Sequence, residues 1–107
     1  MEIFLIKADG GVMFDFDLNS TKEQTTLDKM QRAVNENEPN GLIQYATTPF
    51  KDTNVIVNEE GLLKGYELNL LASAIAQQHL VGDAIVKTSN PKVKEFIHKV
   101  VAGFSKN

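Results

Sequence analysis

The strongest periodicity in the chain lies at its end. Val93, Phe96, Ile97, Val100, Val101 and Phe104 recur at spacings of 3, 1, 3, 1 and 3, which lines six large apolar side chains along one face of a helix. Asn90-Pro91 opens it, and proline fits there because the N–H it lacks would have no intrahelical partner. The spacing predicts an amphipathic helix over residues 90–107. At the other end of the chain the period falls to two. Residues 2–7 (EIFLIK) are rich in β-branched and aromatic types and predict a strand. Asp9-Gly10-Gly11 is a turn signal. In the following segment Phe14, Phe16 and Leu18 alternate with Met13, Asp15 and Asp17. That alternation predicts a second strand over Val12 to Leu18, with the aromatics on one face and both aspartates on the other. The two segments together form an expected β-hairpin.

Between these ends the pattern changes element by element. Ser20-Thr21-Lys22-Glu23 matches a capping box, and Leu27, Met30, Ala33 and Val34 continue at helical spacing. Pro39 and the polar run from Asn35 to Gly41 end that helix in a loop. Residues 42–47 (LIQYAT) predict a strand, and Thr48 to Asp52 a loop around Pro49. Val55-Ile56-Val57 predicts a buried strand, followed by Asn58-Glu59-Glu60-Gly61. Asn at the first position of a type I turn bonds back to the turn, and Gly at the fourth accepts the left-handed conformation. The expectation is a hairpin returning through Leu62-Leu63-Lys64, broken by Gly65. Asn69 is placed to cap a short helix through Leu70, Leu71, Ala74 and Ile75, ended by Gln77-Gln78-His79. Gly82-Asp83 then turns the chain into a strand from Ala84 to Thr88.

These elements predict one α+β domain over residues 1–107. Its expected core is an antiparallel or mixed sheet of five to six strands, with two to three helices packed mainly on one face and a C-terminal amphipathic helix. At 107 residues, folding buries roughly 60–70% of the unfolded chain's surface, enough for one core without metal or disulfide support. The absence of cysteine removes disulfides, thiolate metal sites and a cysteine nucleophile, and fits a reducing cytoplasm. The apolar run at the start, Ile3 to Ile6, is too short for a signal peptide. No segment approaches the ~20 apolar residues of a membrane span. A soluble cytoplasmic protein is expected.

Net charge is −3, but its distribution is uneven. Residues 1–86 carry 13 acidic and 6 basic side chains, while residues 87–107 carry five lysines against Glu95 alone. Lys92, Lys94 and Lys99 are the residues through which this tail would contact nucleic acid. The acidic total argues against general nucleic-acid binding, and a solvated helix face is the favoured account of the lysines.

Asn58-Glu59-Glu60-Gly61, Gly65, Asn69 and Val81-Gly82-Asp83-Ala84-Ile85-Val86, taken in order, resemble a family of small proteins. Phages, plasmids and other mobile elements encode them, and they are catalogued as domain of unknown function 3846. The resemblance covers about residues 3–88 and leaves the helix at 90–107 outside it. Tyr66-Glu67 departs from the Leu-Pro that often follows the family's glycine. The resemblance implies a compact α+β fold and a mobile-element origin, with the host-cell cytoplasm as location if the chain is phage-encoded. It brings no activity, cofactor or catalytic residue. Asn58, Gly61, Gly65 and Gly82 are expected to be structural turn positions.

No catalytic or metal-binding signature accompanies the titratable residues. Asp15 and Asp17 share a predicted strand face near Asp9, yet no Asp-x-Asp-x-Asp-Gly loop joins them. Glu59 and Glu60 lie at a turn tip, where no pocket shifts a pKa. His79 and His98 lack metal-ligand spacing. Ser20, Ser73, Ser89 and Ser105 lack a nucleophile-elbow context, and Gly10-Gly11 joins two strands where a dinucleotide site needs a strand and a helix. The expectation is a protein without enzymatic activity or cofactor, acting as a small interaction module on a host or phage protein. A metabolite- or nucleotide-sequestering protein and a nucleic-acid binder are the alternatives. The stripe Val93, Phe96, Ile97, Val100, Val101, Phe104 must be covered, either by the chain's own sheet or by a partner, a second copy across a twofold axis being the simplest.

Overall fold

The computed structural model describes the backbone of residues 1–105 and the side chains of residues 1–103. The chain runs β1 (Glu2–Ile6), β2 (Val12–Met13), α1 (Thr26–Ala33), β3 (Ile43–Ala46), β4 (Thr53–Asn58), α2 (Leu70–Ala76), β5 (Ala84–Thr88) and α3 (Pro91–Ser105). The five strands form one sheet in the order β2-β1-β5-β4-β3, antiparallel at every pairing. This is the α+β architecture expected. The last strand, β5, lies at the centre between β1 and β4.

Register explains why the central strands are unbroken apolar runs. Phe4, Val86, Val55 and Ala46 lie in one row across the sheet, and Leu5, Ile85, Ile56 and Tyr45 in the next. Successive residues point to opposite faces, and both faces are covered. On one side Phe4, Ile6, Val55, Val57 and Val86 pack with Ala72 and Ile75 of α2 and Val93 and Ile97 of α3. On the other, Leu5, Ile56 and Ile85 pack with Leu18 and with Met30 and Val34 at α1. Two of the three helices share one face, in line with the mainly one-sided cover expected, and α1 closes the second, so the molecule has three layers.

Three local expectations are corrected. The strand expected over Val12 to Leu18 stops after Met13, because Asp15 adopts a left-handed backbone (φ 51°), which aspartate tolerates better than most residues. The alternation is thereby broken. Phe14 meets Phe4 edge-on at 5.6 Å, whereas Phe16 and Leu18 join the opposite core.

The capping box belongs to Thr25 and Asp28 instead of Ser20 and Glu23. Thr25 Oγ1 accepts from the Asp28 N–H and Asp28 accepts from the Thr25 N–H, both at 3.0 Å. Thr21 is engaged upstream in its own turn with Gln24.

The hairpin after β4 does not form. Both lanes beside β4 are taken by β3 and β5, so Leu62-Leu63-Lys64 has no strand to pair with. The segment instead makes a helical turn. Lys64 N–H donates to Glu60 O at 3.0 Å and Tyr66 N–H to Gly61 O at 3.0 Å, with Gly65 left-handed at φ 73°. Leu62 and Leu63 are exposed. Gly61 is not in the left-handed region; it is small because a Cβ there would lie 2.9 Å from a methyl of Val81.

Candidate functional site

Asn69 positions the helix that forms one wall of the site. Its Oδ1 accepts from the Ala72 N–H at 3.0 Å, as the expected cap. Its Nδ2 donates to Ile6 O at 2.9 Å and Gly82 O at 2.8 Å. The side chain is buried, so one amide ties α2 to β1 and to the turn before β5. With seven residues, α2 buries Ala72, Ile75 and Ala76 and turns Leu70 outward, 74% exposed.

The facing wall is α3, and the structure divides its expected stripe. Val93 and Ile97 are fully packed in the core. Phe96, 41% exposed, and the half-buried Val100 line a cleft beside that core. Val101 is half-buried, and the side chain of Phe104 lies outside the described residues, as do residues 106 and 107. Between the two helices and the Lys7–Gly10 turn lies a cleft of about 340 Å³, walled by Leu70, Leu71, Ala74, Phe96 and Val100. Its lining is mostly apolar, with Lys7 and Asp9 beside it. Such a cleft can receive apolar side chains.

Two lysines of the tail, Lys94 and Lys99, are paired with carboxylates of the protein itself. Lys94 pairs with Glu2 at 3.8 Å, and His98 reaches the same carboxylate at 3.6 Å while stacking on Phe14 at 5.1 Å. Lys99 pairs with Glu95 at 2.8 Å, one turn away. The hydrogen bond and charge of Lys99 hold the Glu95 carboxyl below its usual value, and the same contact raises Lys99. Lys92 is exposed.

The aspartates do not converge. Asp9 accepts from the Gly11 N–H at 2.9 Å, and Asp17 accepts from the Asn19 N–H at 2.9 Å and pairs with Lys29 at 3.6 Å. The Asn19 backbone contact, then the Lys29 charge, lowers the Asp17 pKa. Among the described residues no three His, Cys, Asp or Glu side chains are grouped as metal ligands. Glu59 and His79 are exposed and Glu60 is half-buried.

Two features escaped the sequence reading. One is a buried polar node. Asn58 Nδ2 donates to Val34 O at 3.1 Å and to Asn35 Oδ1 at 3.0 Å, and Tyr66 Oη donates to the same Oδ1 at 3.4 Å. Burial pushes the Tyr66 pKa up. Two of the expected turn residues, Asn58 and Gly82, meet here. Asn58 Oδ1 accepts from the Glu60 N–H at 2.7 Å, and a Cβ on Gly82 (φ 78°) would fall 2.6 Å from the Tyr66 ring. The other is a larger cleft, about 670 Å³, on the opposite sheet face between β1 and α1. No motif marks either feature, because both join residues distant in sequence.

No family model matches the sequence, and neither a curated protein nor a solved structure does. The likeness to the mobile-element family therefore rests on the residues quoted for it. Among the described residues, no helix is long and apolar enough to cross a membrane.

Proposed function

We propose that this protein is a non-enzymatic interaction module whose α2–α3 cleft receives apolar side chains of a partner protein. The observation that carries the proposal is the pairing of Leu70 and Phe96, exposed on adjacent helices around a cleft with an apolar lining. Large apolar groups in a concave, apolar setting recur at protein contact sites, where buried aromatic anchors supply much of the affinity. The resemblance to a mobile-element family is the ground for seeking the partner among host or phage proteins. Nucleic-acid binding through Lys92, Lys94 and Lys99 has weaker support, since two of these three lysines already hold carboxylates.

The test compares immobilised wild-type protein with two variants, Leu70→Glu/Phe96→Glu and Lys92→Gln/Lys94→Gln/Lys99→Gln, each checked for folding by circular dichroism. The expected outcome is at least one host or phage protein retained by the wild type and the lysine variant and lost from the cleft variant. Identical retention by all three would remove the cleft from the account.

A further inference from the structure

The larger cleft is built differently from the one between α2 and α3. Leu5, Phe16 and Ala33 supply an apolar floor, and Lys7, Lys29 and Arg32 stand around it. Its volume, about 670 Å³, falls within the roughly 300–1,000 Å³ typical of small-molecule sites. Three acids also line it: Asp17, Glu36 and Asp83. Two of them are committed. Asp83 holds Lys7 at 3.4 Å and accepts from the Ala8 N–H at 2.9 Å, and Asp17 holds Lys29 at 3.6 Å.

Arg32 differs from both lysines. Among the described residues it has no carboxylate within ion-pair distance; Nη1 donates to Asn37 O at 3.1 Å, and Asp28 one turn earlier acts on it only through space. The rest of its planar donor fork is open to an oxyanion, and that fork is what bidentate carboxylate or phosphate recognition uses. Lys29 adds a second donor. Its side chain is 15% exposed, whereas that of Asp17 is 66% exposed. Their separation is also longer than the ~2.7–2.9 Å of a strong charge-assisted hydrogen bond. An incoming anion can therefore share the Lys29 ammonium without stripping a tight pair.

We propose that the β1–α1 cleft binds a small amphiphilic anion, its planar apolar body on Leu5, Phe16 and Ala33 and its carboxylate or phosphate head on Arg32 and Lys29. Glu36 at the same cleft would repel a second negative group placed toward the Glu36–Asn37 turn, which favours a compact head over an extended polyphosphate. This site lies on the opposite sheet face from the proposed docking cleft, and neither depends on the other.

The test is amide NMR of the unmodified protein titrated separately with 2-naphthoate, 2-naphthyl phosphate and inorganic phosphate. Saturable shifts at Phe16, Lys29, Arg32 and Ala33 with at least one naphthyl probe are expected, and the tighter of the two identifies the head group. Inorganic phosphate alone should bind far more weakly, for want of the apolar floor. Arg32→Gln should raise the dissociation constant by about tenfold or more while leaving the melting temperature near the wild-type value. If that variant fails to fold, the shift map of the unmodified protein decides alone. The proposal is overturned by the absence of saturation at millimolar probe, by shifts confined to Leu70, Phe96 and Val100, by an equally tight response to inorganic phosphate, or by unchanged affinity in folded Arg32→Gln.

Discussion

Single residues in this protein do work that their neighbours in sequence do not announce. Gly61, Gly65 and Gly82 all stand in the segment that links β4 to β5, and each is small for a different reason. Gly65 needs only its positive φ, with open space around it; Gly82 needs both its φ and the room beside Tyr66; Gly61 needs room beside Val81 and no unusual backbone. A left-handed alanine costs about 1–2 kcal/mol. Gly65→Ala should lose that amount in denaturant unfolding, and Gly82→Ala clearly more, since strain and a clash with an aromatic ring add. Equal losses at the two positions would contradict the assignment of Tyr66 as the neighbour that matters. Asn69 was legible as a cap because the residue type and the apolar run after it are local signals. Its two further bonds, to Ile6 and Gly82, were not, because they depend on where β1 and β5 come to lie.

Elements were legible where one pattern had one solution. The strands containing Phe4–Ile6, Val55–Val57 and Ala84–Val86, and the helix opened by Pro91, form where their patterns place them. Where two solutions competed, tertiary contacts chose. Both Ser20-x-x-Glu23 and Thr25-x-x-Asp28 satisfy the capping pattern; Thr25 prevails in a structure where Thr26 Oγ1 also donates to Leu18 O at 2.7 Å and Met30 and Val34 are buried. Likewise, Asn58 to Gly61 has the composition of a hairpin turn but no free lane beside β4.

The same logic bears on α3. Val93 and Ile97 are core residues beside Phe4, Ile6 and Val86, and burying each such side chain is worth ~1.5–3 kcal/mol. Removal of residues 90–107 should therefore abolish cooperative thermal unfolding. A truncated chain that still melts cooperatively would mean that residues 1–89 close a core of their own and that α3 is dispensable to it.

At the scale of the whole molecule, both sheet faces are covered, and the two clefts described above lie on opposite faces. The sheet and its mainly one-sided helical cover are legible in the sequence, but that α1 takes the second face is not, because its small apolar face gives no sign of which side it will take. The stripe on α3 reads as one unit in the sequence, whereas the fold places Val93 and Ile97 in the core and leaves Phe96 and Val100 beside Leu70. That division is the basis of the functional account, and it is tested most directly by site-specific photo-crosslinking. A photoreactive phenylalanine analogue is placed at Leu70 in the cleft or, as a control, at the exposed Glu59. The labelled proteins are irradiated in the presence of host or phage extract. The account predicts a discrete product from the Leu70 position, larger than the protein itself, containing a second protein and absent from the Glu59 position. A product joining two copies of this chain would make the cleft a self-association surface. No discrete product from Leu70, or the same product from both positions, would contradict the claim that the α2–α3 cleft receives a partner.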